Sequence, residues 1–341
     1  MGQSSCARDC FTFVNSVIMK KLGIACWTIG QHAQKNIIPA IKRCDSVELI
    51  GAYTRNEAIL GAVCSQTGCK RYADEQELLS DSAVGLVYLS SPTGVHYEQI
   101  KKCITAKKSV LVEKTALTSA DQVDELLEMA RANEVLVMEA FMYRFHSQFK
   151  ALQELLDFNR YGEIVRIECE FGFPHLPKND IRYSKVLEGG ALYDAGAYTL
   201  SAARILLGCN PKVEWAHVLF SKEFEVDVGG HAILSNDINQ IAICNWRFGA
   251  SYINQIRIWL ERGHLLVERA FSKPDSFDSQ ITIKNNGALI EKINCGPDNH
   301  FVEMFNYASE LISLSEFEIE YRHMADQVDL LGSVLNFKEG R

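Results

Sequence analysis

A short apolar run followed at once by a tight turn occupies residues 22–33 and reads LGIACWTIGQHA. In the next segment, residues 34–43, apolar side chains recur at helical spacing. A buried strand that leads through a tight turn into a helix is the repeating unit of parallel sheets. Residues 22–43 therefore predict the first strand, turn and helix of an α/β unit.

The same alternation continues as far as residue 140. Further strand-like apolar runs, separated by helical segments and short loops, are residues 47–52, 84–89, 109–112 and 135–140. Strands that alternate with helices in this way form βαβ units. The fold class that we predict for residues 19–141 is therefore α/β, a doubly wound parallel sheet of the Rossmann type that binds a dinucleotide.

The pattern changes in the second half of the chain. Strand-like runs, most of them alternating apolar and polar residues, are 165–173, 213–220, 231–235, 240–248, 253–260 and 265–271. The segment Asn285-Asn286-Gly287 lies between two more such runs and predicts a hairpin. For residues 142–341 we predict an α+β domain, a large, mostly antiparallel open-faced sheet with helices on one face. Residues 1–18 differ from the rest, and we interpret them as a disordered extension.

The composition excludes several classes of partner. The net charge of −8 argues against nucleic acid or an anionic membrane as a partner. No stretch reaches the roughly 20 apolar residues that a membrane helix needs. The 11 cysteines and 9 histidines are scattered, without a Cys-x-x-Cys pair or metal-ligand spacing. We therefore expect a cytoplasmic protein with reduced thiols, a small-molecule substrate and no metal.

The turn after the first strand is a degenerate dinucleotide-binding fingerprint. Gly30 keeps the central glycine, which lets a pyrophosphate approach the amino terminus of the helix. Ala33 is an allowed third residue, whereas Thr28 replaces the first glycine. The residues of this turn that we assign to the cofactor are Thr28, Ile29, Gly30, Gln31 and His32.

The choice of cofactor is indicated at the end of the second strand, which reads Ala52-Tyr53-Thr54-Arg55-Asn56. NAD sites usually place Asp or Glu near this point to bind the ribose hydroxyls, and this segment has no carboxylate. Arg55 is suited to a 2′-phosphate, although it equally fits a solvated surface position. We favour NADP(H) over NAD(H) and expect Thr54 and Arg55 at the cofactor.

Two places in the chain mark a candidate catalytic site. An apolar strand runs directly into Glu113 and Lys114, which places both at the carboxyl edge of the parallel sheet. Asp194 and Tyr198 stand four residues apart after a glycine pair, and this spacing places them on one helical face. A lysine, an aspartate and a tyrosine that converge in this way can handle a proton. We predict that Lys114, Asp194 and Tyr198 are catalytic.

The assembled motifs resemble the glucose–fructose oxidoreductase/inositol dehydrogenase (Gfo/Idh/MocA) family from Met19 onward. The matching segments are Ser91–His96, Val112–Lys114, Glu139–His146 and Gly189–Tyr198. The resemblance implies a nicotinamide cofactor on the first domain, with substrate between it and the open face of the second-domain sheet. It also implies homo-oligomers, dimers or tetramers, that pack through that sheet.

Further cofactor and substrate residues follow from these segments. The remaining cofactor candidates are Ser90, Ser91, Pro92, His96, Glu113, Lys114 and Arg144. His96 fits a structural role equally well, and Arg144 could instead contact substrate or brace the junction between the domains. Arg182 and Tyr183 precede the helix that carries Asp194 and Tyr198, and we expect both of them to contact the substrate. Arg182 would anchor a substrate phosphate, or it forms a surface salt bridge.

Within the family, the closest likeness is to the nucleotide-sugar 3-ketoreductases of deoxysugar pathways. The segments that carry it are Asn179–Tyr183, Val228–Leu234 and Val267–Pro274. The dimeric dihydrodiol dehydrogenases resemble the chain at the same lysine, aspartate and tyrosine positions. One departure concerns the Glu-Lys-Pro of the family, because Thr115 follows Lys114 here. The direction in which the Lys114 side chain points is therefore left open.

We expect Tyr198 to exchange a proton with the substrate oxygen. A free tyrosine has a pKa of about 10, and a neighbouring Lys114 cation would favour the phenolate and bind the substrate oxygen. Asp194 would hold Lys114 or a substrate hydroxyl. The complete set of substrate candidates is Lys114, Arg182, Tyr183, Asp194 and Tyr198.

These residues predict NAD(P)-dependent hydride transfer between nicotinamide and a sugar hydroxyl or ketone, with a nucleotide-linked keto-sugar as a candidate. The alternative enzyme is a trans-dihydrodiol or free-sugar dehydrogenase. The alternative of another class is a non-catalytic NADP-binding regulator. A regulator would have no need of a lysine, an aspartate and a tyrosine arranged to move a proton.

Overall fold

Two sheets organise the computed structural model, which describes residues 21–208 and 211–338. The extension predicted at residues 1–18 lies outside the described residues. The strands are β1 (Leu22–Trp27), β2 (Val47–Tyr53), β3 (Lys70–Arg71), β4 (Leu86–Leu89), β5 (Ser109–Val112), β6 (Val137–Glu139), β7 (Ile164–Phe173), β8 (Lys212–Phe220), β9 (Asp227–Ser235), β10 (Ile241–Phe248), β11 (Ile253–Leu260), β12 (Gly263–Glu268), β13 (Ser279–Asn285) and β14 (Ala288–Gly296). The helices are α1 (Ile38–Arg43), α2 (Glu57–Thr67), α3 (Glu75–Ser80), α4 (His96–Thr105), α5 (Ala120–Asn133), α6 (Ser147–Asp157), α7 (Ala197–Leu207), α8 (His300–Leu314) and α9 (Glu318–Leu335).

The first sheet has six parallel strands in the order β3-β2-β1-β4-β5-β6. β4 and β5 are buried along their whole length, because helices cover both faces of the sheet. This confirms the predicted doubly wound parallel sheet. Strands are added on one side of β1 as far as β3 and on its other side from β4 onward, so the strand order switches between β1 and β4. The sequence prediction missed β3, since its two exposed residues at the sheet edge carry no apolar pattern.

The second sheet has eight strands in the order β14-β13-β12-β11-β7-β10-β9-β8. All neighbours are antiparallel except β7 and β10, so the predicted mostly antiparallel sheet is confirmed. The predicted hairpin joins β13 to β14. Asn286 and Gly287 have φ values of 49° and 80°, as a two-residue turn between twisted strands requires.

One face of the second sheet is covered and the other is open. Burial alternates residue by residue along β10 and β11, and α6 and α7 pack against the sheet. Of the last two helices, α8 packs on α1 of the first domain, and α9 packs both on α5 and β6 of the first domain and on β8 of the second sheet. The carboxyl edge of the parallel sheet thereby faces the start of the α7 helix.

Two features are absent from residues 21–208 and 211–338, a membrane-spanning helix and a cluster of metal ligands. No helix in these ranges is long and apolar enough to cross a membrane. The described residues also contain no group of three or more His, Cys, Asp or Glu side chains that could hold a metal ion.

Candidate active site

The turn after β1 leads into a π turn, Ala33–Ile37, which continues as α1, and the amino end of this helical segment lies at the carboxyl edge of the parallel sheet. Thr28 has a φ of 68°, so a threonine here adopts the left-handed conformation that favours glycine. A Cβ placed on Gly30 would meet no atom within 4 Å, so open space lies beside this backbone. The side chain of Ile29 is buried, whereas Gln31 and His32 are exposed. Open space at a helix amino terminus fits the pyrophosphate of a dinucleotide.

An ion pair joins this turn to the loop after β5. Nε2 of His32 lies 3.1 Å from Oε1 of Glu113, and the Tyr88 hydroxyl donates a hydrogen bond to the same oxygen. Burial acts to raise the pKa of Glu113, but the charge and hydrogen bond of His32 lower it overall. Burial acts to lower the pKa of His32, but Glu113 raises it overall. His32 and Glu113, which we expected to contact the cofactor independently, therefore form an ion pair beside the Gly30 turn.

The end of β2 lies next to the same turn. The Thr28 amide donates a hydrogen bond of 2.8 Å to the carbonyl of Tyr53, the last residue of β2. Thr54 is buried and Arg55 is exposed, while the Asn56 side chain caps α2. Arg55 is therefore an exposed cation where the adenosine ribose of a dinucleotide is expected.

The loop after β4 forms part of a cavity wall, but His96 does not. Ser90, Ser91 and Pro92 line the cavity, as expected for a nicotinamide-binding loop. His96 is 1% exposed, with Nε2 2.7 Å from the Ser91 carbonyl oxygen and Nδ1 3.0 Å from that of Ala116. Burial lowers the pKa of His96. His96 ties two loops together, as its structural alternative expects, and its assignment to the cofactor stays a prediction.

Lys114 and Asp194 meet across the cleft between the two sheets. Nζ of Lys114 lies 2.5 Å from Oδ1 of Asp194 and donates to its backbone carbonyl at 3.1 Å. Nε of Arg182 donates to the other carboxylate oxygen at 2.8 Å. Burial acts to raise the pKa of Asp194, but Lys114 and then Arg182 hold it at about 2. Asp194 is therefore an anion clamped by two cations.

Tyr198 lies on the same helix and lines the cavity, but its charge state differs from the expectation. Its hydroxyl donates to Met142 Sδ at 3.4 Å, and Lys114 Nζ lies 4.9 Å from the ring centroid. Burial raises the pKa of Tyr198 well above 10, and Glu113 and Asp194 raise it further. The expectation that Lys114 favours a phenolate is wrong, because burial keeps the phenol neutral and the Lys114 ammonium pairs with Asp194. The Tyr198 phenol is therefore neutral, and the acceptor of its hydroxyl hydrogen bond, the Met142 thioether, is a weak one.

The helix that carries these two residues begins irregularly. Leu192–Gly196 forms a π turn that runs directly into α7, and Asp194 lies within it. Asp227 accepts a hydrogen bond of 2.8 Å from the Leu192 amide at the start of this turn. Gly190 has a φ of 125°, and a Cβ there would lie 2.2 Å from Oδ1 of Asp227. Glycine at this position therefore lets Asp227 approach the amino end of the helix that carries Asp194 and Tyr198.

Arg182 and Tyr183 have different surroundings. The Arg182 side chain is 39% exposed and lines the cavity, and it also pairs with Asp180 at 3.1 Å. Tyr183 is 5% exposed, stacks on Phe224 at 4.1 Å, and its hydroxyl accepts a hydrogen bond from the Leu176 amide. Tyr183 does not line the cavity. It supports the loop from inside, and its assignment to the substrate stays a prediction.

Arg144 also lies outside the cavity wall. Its guanidinium donates two hydrogen bonds, of 2.9 and 2.8 Å, to the carboxylate of Glu320 on α9. The Glu320 side chain is 1% exposed. Such a paired and buried guanidinium braces α9 against the segment after β6, as the structural alternative proposed. The assignment of Arg144 to the cofactor stays a prediction.

The cavity has a volume of about 630 Å³ and opens between the two sheets. Its residues are His32, Ser90, Ser91, Pro92, Thr93, Glu113, Lys114, Met142, Phe171, Phe173, Pro174, His175, Leu176, Ile181, Arg182, Leu187, Glu188, Gly189, Gly190, Tyr193, Asp194, Tyr198 and Ser272. Phe171 lies on the covered face of the second sheet, opposite the open face that the resemblance implied. The wall combines charged groups, among them Lys114 and Asp194, with apolar side chains such as Phe171.

Sequence reasoning missed the apolar wall, although one signal was present. Phe171 and Phe173 end β7, and Pro174 and His175 follow at once. A break after a strand marks the place where a sheet meets a cleft, by the same reasoning that identified Lys114. Glu188 carried no comparable signal, and its Oε2 accepts a hydrogen bond of 2.9 Å from the Thr118 hydroxyl across the cleft.

Comparison with known proteins identifies the family. The model of an oxidoreductase family with an NAD-binding Rossmann fold matches residues 24–141, and that of the GFO/IDH/MocA C-terminal domain matches residues 149–266. The chain belongs to the GFO/IDH/MocA family. This confirms the resemblance seen in the sequence, and the chain is accordingly an NAD(P)-dependent oxidoreductase.

Several family members are similar to most of the chain. The dTDP-3,4-didehydro-2,6-dideoxy-alpha-D-glucose 3-reductase of Saccharopolyspora spinosa is 30% identical over 77% of this chain and 79% of its own length. A trans-1,2-dihydrobenzene-1,2-diol dehydrogenase of Xenopus tropicalis is 28% identical over 61% of this chain and 62% of its own. A solved 3-ketoreductase of Actinomadura kijaniata, in complex with NADP and TDP-benzene, superposes with a TM-score of 0.88 and 25% identity, covering 93% and 97% of the two chains.

Proposed function

We propose that this enzyme uses NADPH to reduce a ketone on a sugar, with a nucleotide-linked keto-sugar as the favoured substrate. One observation carries the proposal. The neutral Tyr198 phenol lies in one cavity with the Lys114–Asp194 ion pair, between the sheets and close to the Gly30 turn. The relatives that are named keto-sugar reductases support the substrate class.

Bound NADPH would supply the hydride to the carbonyl carbon. Tyr198 would then donate its phenolic proton to the oxygen that becomes negatively charged, and the phenolate would regain a proton from solvent; burial keeps the phenol protonated before this step. The Lys114 ammonium stabilises the developing negative charge, and Asp194 orients Lys114. In the direction of oxidation the same phenol would have to be deprotonated before it could accept the substrate proton.

The residues beside the Gly30 turn would hold the dinucleotide. The loops after β1, β4 and β5 line the cavity, and exposed Arg55 at the end of β2 would bind a 2′-phosphate. This residue and the lack of a carboxylate at the end of β2 support NADP(H) over NAD(H). We place the cofactor on residues 19–141 and most of the substrate contacts on residues 142–341.

The test follows the absorbance of reduced nicotinamide while the purified enzyme is offered NADPH with keto-sugar nucleotides and free sugars. We expect NADPH consumption with at least one keto-sugar, and a lower Kd for NADPH than for NADH. The Arg55→Ala variant should remove most of this difference between the cofactors. Tight NADPH binding without turnover of any substrate would favour the regulator, and a preference for NADH would reject the cofactor assignment.

A second candidate substrate class is favoured by the apolar residues of the cavity wall. Phe171, Phe173, Leu176, Ile181 and Leu187 line the cavity, and the cation Arg182 is already paired with two aspartates. Such a wall suits a vicinal diol on an apolar ring better than a phosphate. Oxidation of a trans-dihydrodiol with NADP, in the absence of any reaction with keto-sugar nucleotides, would select this candidate.

The open face of the second sheet supports a homo-oligomer. Trp259 is 53% exposed on β11 and lies 5.7 Å from the Arg166 guanidinium. Arg257 on the same face pairs with Glu168 at 2.8 Å and with Glu170 at 2.9 Å. Alternating cations and anions beside an exposed aromatic ring can pair with a second copy of themselves. Sedimentation should therefore give a dimer or tetramer that Trp259→Glu converts to a monomer.

The cysteines of the described residues are free thiols, which supports a reducing compartment such as the cytoplasm.

A further inference from the structure

Thr115 occupies the position at which the family usually has proline, and its hydroxyl makes a contact that proline cannot make. The Lys114–Thr115 peptide bond is cis, and Thr115 is 1% exposed. Its Oγ1 donates a hydrogen bond of 2.8 Å to the backbone carbonyl of Tyr193. Tyr193 belongs to the π turn that leads into the catalytic helix. The hydroxyl therefore bridges the cleft between the two sheets.

This bridge lies one residue away from the catalytic ion pair on both sides. Lys114 precedes Thr115, and Asp194 follows Tyr193. The ion pair alone depends on a lysine whose four-carbon side chain can reach its partner from many positions. The threonine hydroxyl is attached close to the backbone, so its hydrogen bond fixes the distance between the two backbones. Together the two contacts clamp the loop to the helix at two adjacent points.

Both sides of the bridge are anchored. On the first side, the Thr115 carbonyl accepts a hydrogen bond of 3.0 Å from the Thr93 hydroxyl, and the Ala116 amide donates one of 2.8 Å to Oε1 of Glu139. On the second side, Asp227 holds the amino end of the helix through the Leu192 amide. A hydrogen bond between two fixed backbones transmits position, whereas one between flexible loops would not.

We propose that Thr115 is a positioning residue, which sets the separation between Lys114 and the helix that carries Asp194 and Tyr198. A proline at this position could not form this hydrogen bond, because it has no hydroxyl. The inference rests on the proposed function, since the groups that it positions are the ones assigned to proton transfer. A misplacement of about 1 Å can cost about 100-fold in rate, so even a partial loosening is measurable.

The test compares Thr115→Ser, which keeps the hydroxyl, with Thr115→Val, which keeps the shape and removes it. We expect T115S to retain kcat within about twofold and T115V to lose about tenfold, with the Kd for NADPH unchanged in both. Thr67→Val is the matched control. Thr67 Oγ1 also donates to a backbone carbonyl at 2.8 Å, but on α2, away from the cavity, so T67V should keep kcat.

Amide hydrogen exchange gives a readout that needs no substrate. The amides of residues 192–196 should exchange faster in T115V than in T115S and the wild type, and at an unchanged rate in T67V. Equal exchange rates and equal kcat in T115V and T115S would overturn the proposal. If the wild type reduces none of the substrates offered, the proposed function fails, but the exchange rates still decide whether Thr115 fixes the helix.

Discussion

The ion pair between Lys114 and Asp194 leads to the most demanding prediction. Lys114→Met removes the charge and keeps a side chain of similar length, while Asp194→Asn removes the anion and keeps the shape. Side-chain exposures of 11% and 17% mean that solvent screens the pair only weakly. We expect each variant to lower kcat/KM by at least about 100-fold, because each disturbs the groups that accompany proton transfer.

The size of the effect on stability follows from the pKa of Asp194. That pKa falls from 3.8 to about 2, although burial acts to raise it. This depression corresponds to about 2 kcal/mol of net stabilisation of the anion by the two cations. A depressed carboxyl pKa contributes stability that is present above pH 3.8 and is lost as the pH falls through about 2. Lys114 contributes more than Arg182, so the pair should couple by about 1–2 kcal/mol at pH 7.

The assay is a double-mutant cycle in urea at pH 7 with the wild type, K114M, D194N and the double variant. Lys102→Met is the control, since Lys102 also lies 2.5 Å from a carboxylate, that of Glu75, but its side chain is 49% exposed. Removing this surface pair should change the free energy of unfolding by less than about 0.5 kcal/mol. Effects of K114M and D194N that add within about 0.3 kcal/mol would refute a direct coupling.

Three further predictions follow from the same structure. Tyr198→Phe should lower kcat at least about 100-fold but change the free energy of unfolding by less than about 0.5 kcal/mol, because the lost partner is a thioether; equal kcat values would contradict the acid role. Thr28→Gly should raise the unfolding free energy by about 1 kcal/mol in urea, since it relieves a threonine at positive φ; a lower stability would show that Thr28 is unstrained. Burial raises the pKa of Asp227 to about 7, so its stabilising contribution is present below pH 3.8 and is lost as the pH rises through about 7. Asp227→Asn should therefore flatten the decline of unfolding free energy between pH 5 and pH 8, and an unchanged slope would contradict this assignment.

Much of the fold was predictable because its signals are local. The apolar runs at 22–27 and 109–112 coincide with β1 and β5, and Asn286-Gly287 forms the turn that its two residue types favour. The edge strand β3 was missed, because two exposed residues have no periodicity to detect. The left-handed Thr28 explains why an incomplete fingerprint still forms the turn.

The candidate site was predicted less completely, because its members act through their neighbours. Lys114, Asp194 and Tyr198 do line one cavity, but burial reversed the charge state expected of Tyr198. Arg144 and His96 occupy positions that suggested the cofactor, yet Glu320 and two backbone carbonyls engage them. No local pattern distinguishes a buried residue that binds a ligand from one that binds its own protein.

The sequence by itself determined the family, the alternation of strands and helices and the identity of the groups that can move a proton. These depend on residue types and on spacings of a few positions, which the chain carries wherever it folds. The tertiary structure alone decided that Lys114 pairs with Asp194, 80 positions away, and that Thr115 bridges to Tyr193. Both contacts depend on how two separately formed sheets dock, because that docking sets the distances and the burial from which charge states follow.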